Sequence, residues 1–137
     1  MTQLIRSRIL RADAILLFMF GMFGLAEDLS SYLAGTFVLK DALLNNPLAV
    51  GFVEAHGLAL IMAMLFFINA SANDTKQWHV TALTLHLFLG ICNLFFWQGF
   101  IDLNIVRVGV VATIFQIVFV IAHGIALQSL HQEMAQS

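Results

Sequence analysis

A chain of 137 residues has the length of a single domain. With 61% hydrophobic residues, 10% charged residues and a mean hydropathy of +0.92, it lacks the charge that a soluble domain of this size needs, and the composition points to lipid. The net charge is −2 and no basic run is long enough to follow a phosphate backbone, which argues against nucleic acid as a partner. The single cysteine, Cys92, lies in an apolar segment and reads as packing; alone it excludes an internal disulfide and any CxxC motif.

The first apolar span is expected at about 10–27. Arg6, Arg8 and Arg11 precede it in the manner of a signal peptide, but Glu27 and Asp28 follow it where a small-residue cleavage site would stand, so it reads as a retained helix. Its charge-free stretch is short, and Arg11 and Asp13 must sit at the interface or face inward. The connection after it, Leu29–Asn46, carries the apolar stretch Tyr32–Leu39 and predicts a short interfacial helix or a re-entrant segment on the outer side. The second span, 48–70, opens after Pro47, where a missing N–H costs nothing, and holds one charge, Glu54. The third, 77–99, and the fourth, 104–129, each lie in a run of 25 residues without Asp, Glu, Lys or Arg, Gln77–Ile101 and Val108–Gln132. Either run exceeds the roughly 20 residues that cross about 30 Å of hydrocarbon.

These elements predict an all-α integral membrane protein, one domain over 1–137, folded as an antiparallel up-down four-helix transmembrane bundle. Arg6, Arg8, Arg11 and Lys76 on one side, against Lys40 and Arg107 on the other, place both termini in the cytoplasm. Trp78 and Trp97 fall near opposite ends of the third span, as interfacial anchors do. Gly21, Gly24, Gly51, Gly57 and Gly90 predict close helix approach and a self-association face.

Polar residues inside such spans face the interior or a water-filled cavity and mark candidate sites. On the third span His79, His86, Gly90, Asn93 and Trp97 share one face; on the fourth Gly109, Ala112, Gln116 and His123 do. Glu54 and His56 point about 200° apart on the second. Depth sorts these groups into two layers. His86 and His123 each lie about 10 Å in from the cytoplasmic ends of their helices, with Asp13 nearer that surface, while Glu54, His56, Glu27, Asp28, Asn93 and Arg107 form an outer layer. Glu54 and Arg107 are close enough in depth for an ion pair.

Three functions fit these layers. The first is binding of a lipid-like or quinone-like molecule between helices, with Glu54, His56, Arg107 and Asn93 as the ligand-binding set and a role accessory to redox or envelope function. The second is a redox subunit holding haem b through His86 and His123, as two histidines at one depth do in b-type cytochromes. The third is a small oligomeric proton-coupled transporter using Asp13 or Glu54 as the titrating carboxylate. A zinc site is not expected, because no two ligands show a three- or four-residue helical spacing and no cysteine joins them. No nucleophile stands beside a base, so no hydrolase or transferase signature is present. Expected partners are the lipid membrane, such a ligand, and a second copy or a larger membrane complex.

The arginine-led first helix, Arg8-Ile9-Leu10-Arg11 through Gly24-Leu25-Ala26-Glu27, is followed by a semi-hydrophobic outer segment and then by Gly51-Phe52-Val53-Glu54-Ala55-His56-Gly57. Over about half the chain this layout resembles the DoxX-like group of small four-helix bacterial membrane proteins. The resemblance implies a multi-pass protein of the bacterial inner membrane, in some members linked to quinone-dependent sulfur oxidation or redox stress. The chain departs from the group at Glu27, where a basic residue is usual, and at His56 after the glutamate.

Overall fold

A computed structural model describes residues 1–72 and 75–136, without the side chains of Met134 and Gln136. Among the described residues every regular element is a helix and there is no strand: α1 (Gln3–Ala34), α2 (Lys40–Leu43), α3 (Ala49–Asn69), α4 (Lys76–Phe95), α5 (Trp97–Asp102) and α6 (Val106–Gln136). Four of them, α1, α3, α4 and α6, are long and apolar enough to cross a membrane. The distribution of side chains is that of a lipid-facing protein. Phe23, Phe67, Phe88 and Ile114 are more than half exposed, whereas Asp13, Asp28, Ser31, His79, His86 and His123 are 0% exposed. Water would penalise so large an apolar surface, and lipid does not.

The helices differ from the expected spans mainly at their ends. α1 has 32 residues, about 48 Å at 1.5 Å per residue, and outruns the hydrocarbon at one or both ends. Nothing between Gln3 and Ala34 breaks it, and it stops at Gly35, whose φ of +60° suits a residue without Cβ. The helix of the third span ends at Phe95 instead of continuing to 99. The chain turns at Phe96, and α5 lays Trp97 against Phe100, ring centroids 5.6 Å apart.

The chain forms two compact units, Met1–Arg11 with Ile68–Ser137, and Ala12–Phe67. In the first, α4 and α6 pack face to face, and their contacts advance along α4 as they retreat along α6: His79 meets His123, then His86 meets Gln116. Gly90 faces Gln116, 3.4 Å from a would-be Cβ, and Gly109 lies under the Phe100 ring. Arg6, 6% exposed, holds the beginning of α1 in this unit. Its guanidinium donates to the Met1 carbonyl at 2.8 Å and pairs with Glu133 at 2.7 Å. Arg11 donates to the Ser71 hydroxyl at 2.5 Å. Two of the three arginines near the start of α1 are thus structural ties within this unit.

In the second unit the rest of α1 meets α3. Gly21 faces Leu60, with a would-be Cβ 2.9 Å from its side chain, and Gly24 faces the His56 ring more closely still. The segment after α1 is strapped down by Glu27, whose carboxylate accepts from the Val38 and Leu39 amides at 2.9 and 3.0 Å. That is the local consequence of an acid at this position. Within the single turn of α2, Leu43 is buried and Lys40 and Asp41 are exposed, and the flanking Phe37, Val38 and Leu44 are exposed apolar side chains. Asn46 then closes the turn into α3, its side-chain amide donating to Ala42 and its oxygen accepting from Leu48 N–H.

A methyl at Gly24 would displace an imidazole that Asp28 holds at 2.6 Å, leaving a buried carboxylate without its partner. Gly24→Ala is expected to destabilise the protein by about 1–3 kcal/mol. Gly57→Ala on α3, where nothing lies within 4 Å of the new methyl, should be neutral or stabilising through helix propensity. Thermal unfolding in one detergent, followed by circular dichroism, compares the two.

Candidate functional site

Three imidazoles, none of them accessible, meet between α4 and α6. His79 and His86 are seven residues apart and therefore share one face of α4, separated by about 10 Å along the axis. His123 projects from α6 into the interval between them. Its ring centroid lies 5.1 Å from that of His79 and 5.9 Å from that of His86. The His86 and His123 rings are nearly parallel, at 9°, and Phe119 packs against His86 at 5.1 Å. An apolar wall of this kind keeps water from the ring nitrogens and raises the worth of every polar contact among them.

Those contacts constrain the protons. His79 Nδ1 and His123 Nδ1 are 2.8 Å apart. At that distance two lone pairs repel and two N–H bonds collide, so a single positive centre must lie between the nitrogens. In a metal-free neutral pair it is one proton, carried by one ring and accepted by the other. His86 Nδ1 lies 2.6 Å from Gln116 Oε1. An amide oxygen only accepts, so His86 carries its proton on Nδ1, and in the neutral ring Nε2 is the basic nitrogen. His86 and His123 each offer a ring nitrogen within 4.8 Å of the other's. The arrangement can hold a cation by nitrogen donors, with Gln116 orienting a donor as outer-shell groups do in metal sites.

A second polar contact lies in the other unit. His56 Nδ1 meets Asp28 Oδ2 at 2.6 Å, with Asp28 almost wholly buried and His56 one-third exposed. The other carboxylate oxygen, Asp28 Oδ1, is buried without a hydrogen-bond partner among the described residues.

The expected site residues are thus distributed as follows. His86 and His123 come together, joined by His79 and Gln116. The sequence put all four on inward faces but singled out only the first two. His79 lies near the start of its helix, where a histidine reads as interfacial. Its signal was the seven-residue spacing to His86. Of the outer set, His56 is bound to Asp28, and Asn93 is half-buried on α4. Glu54 on α3 and Arg107 at the start of α6 are exposed. Asp13 is fully buried on α1. No family model, no curated protein and no solved structure matches the chain, so the DoxX-like resemblance stands on its motifs alone.

Gln116→Leu keeps the volume beside Gly90 but removes the buried amide oxygen that accepts from His86 Nδ1–H. A loss of about 1–3 kcal/mol is expected, and Gln116→Glu, which keeps an acceptor, should recover part of it. Unfolding midpoints of the three proteins in the same detergent provide the check.

Proposed function

We propose that this chain is a small multi-pass protein of the bacterial inner membrane that binds a divalent transition-metal ion between His79 and His123. In this reading α1, α3, α4 and α6 cross the bilayer alternately in an up-down arrangement with both termini in the cytoplasm. The arginines at the start of α1 support that orientation.

The observation that carries the metal reading is the 2.8 Å separation of two Nδ1 atoms in a fully buried cluster. Two imidazole nitrogens bound to one ion at about 2.1 Å stand about 3 Å apart at right angles and about 3.4 Å apart in a tetrahedron. The pair is therefore close to the spacing of adjacent ligands before any ion enters. To bind it, His79 and His123 carry their protons on Nε2 and turn both Nδ1 lone pairs to the ion, while His86 stays bonded to Gln116. Imidazole donors suit zinc, iron, nickel and copper, and do not suit magnesium or calcium. A search for ligand spacing within one helix misses such a site, because its donors come from two helices.

Haem b through His86 and His123 is the second reading. It is favoured by the engagement of both Nδ1 atoms, with Gln116 and with His79, which would leave Nε2 of each ring to face the iron.

Element analysis and absorbance of the gently solubilised protein separate the readings. About one transition-metal ion per chain without a Soret band is expected, falling at least tenfold in His79→Ala and His123→Ala. A Soret band that survives His79→Ala but not His86→Ala would replace the bare ion by haem. Protein free of both after metal- and haem-replete expression, and inert to added cobalt(II), would refute the metal proposal.

A further inference from the structure

We propose that the end of the fold where α1 begins and α3 finishes binds the headgroup of an anionic phospholipid, with Arg8, Arg11 and Ser71 as its contacts. The three residues belong to one compact unit, and the proposal does not depend on the histidine centre.

The arginines at the start of α1 divide by face. At 100° per residue, Arg8 and Arg11 stand about 60° apart on the helix, whereas Arg6 is about 140° or more from either. Arg6 turns inward and is paired with Glu133. Arg8 and Arg11 are exposed, and among the described residues neither makes an ion pair with an acid. In the sequence, Arg8, Arg11 and Lys76 stand against one acid of the same connection, Asp74; three cations less one acid leave a surplus of two positive charges. Such a surplus attracts an anionic membrane surface.

Arg11 is not a loose charge. It donates to Ser71 Oγ at 2.5 Å, which ties α1 to the residue two beyond the end of α3. That bond fixes one arm of the guanidinium and leaves its other N–H groups to donate. The Ser71 hydroxyl, having accepted, keeps its own O–H to give. A phosphodiester offers acceptors to both, and the planar guanidinium suits it. The position favours a lipid over a free anion. Ile68, three residues before Ser71, is 65% exposed and apolar. Beyond Asp13 the sequence of α1 runs without charge from Ala14 to Ala26, so the guanidiniums stand where hydrocarbon gives way to headgroups.

Delipidated full-length protein in neutral detergent, titrated with phosphatidylglycerol or phosphatidylcholine and read by native mass spectrometry, tests the site. Wild type should bind phosphatidylglycerol about tenfold more tightly than phosphatidylcholine. Arg8→Gln should weaken phosphatidylglycerol about fivefold, and adding Arg11→Gln should remove the preference. Arg11→Lys keeps the charge without the fork and should retain only part of it. Lys40→Gln, which removes an exposed cation of the other unit, should leave both affinities unchanged. Arg8 is exposed, so its variant keeps the test decisive if those at Arg11 fail to fold. Equal binding of the two lipids by wild type overturns the proposal. So does a preference that survives the double substitution, or one that falls as far in Lys40→Gln. Displacement of the lipid by millimolar inorganic phosphate would mark a free-anion site and overturn it too.

Discussion

Two imidazole nitrogens 2.8 Å apart, sealed from solvent between α4 and α6, cannot both present lone pairs to each other. Something positive has to lie between them, and in lipid it cannot be borrowed from water. Much of this unit can be understood as support for that constraint. The inward faces of α4 and α6 bring His79, His86 and His123 together. Gly90 lets Gln116 approach His86, and Phe119 closes the apolar wall. At the far end Arg6 ties α1 to α6 through Glu133, so the helix that carries His123 is anchored near its C-terminus.

The unit formed by Ala12–Phe67 solves a similar problem differently. Asp28 is buried with one carboxylate oxygen against His56, whose ring needs the missing side chain at Gly24 to reach it. Glu27, one residue earlier, turns outward and spends its carboxylate on two backbone amides of the following segment. Adjacent acids at the end of one helix thus have unrelated roles, one pinning helix to helix and one pinning a loop. Both contacts give a carboxylate partners where lipid offers no hydrogen bonds, though only one oxygen of Asp28 is engaged among the described residues.

Length and hydropathy made the four long helices legible, because crossing hydrocarbon is a one-dimensional requirement. The same periodicity put His86, Gln116 and His123 on inward faces. Ends were less legible. Counting charge-free residues shortened α1, since it treats Arg6, Arg11 and Asp13 as costs when each is buried or bound in the fold. The turn at Phe96 has no Gly or Pro to announce it. At the site, depth alone grouped Glu54 with His56 and Arg107. It could not show that His56 is engaged by Asp28 or that Glu54 is exposed. His79 was missed as a site residue for a similar reason. Its relation to His123 depends on how α4 slides along α6, a register that neither helix encodes by itself.

The occupant of the gap between His79 and His123 decides the account, and nitrogen-15 spectra of histidine-labelled protein read it directly. Zinc added to the purified, chelator-stripped protein should shift Nδ1 of His79 and His123 together to metal-bound values and leave the proton of each ring on Nε2. Spectra in which those two Nδ1 atoms continue to share a proton at saturating zinc, with no ring changing tautomer, would contradict it.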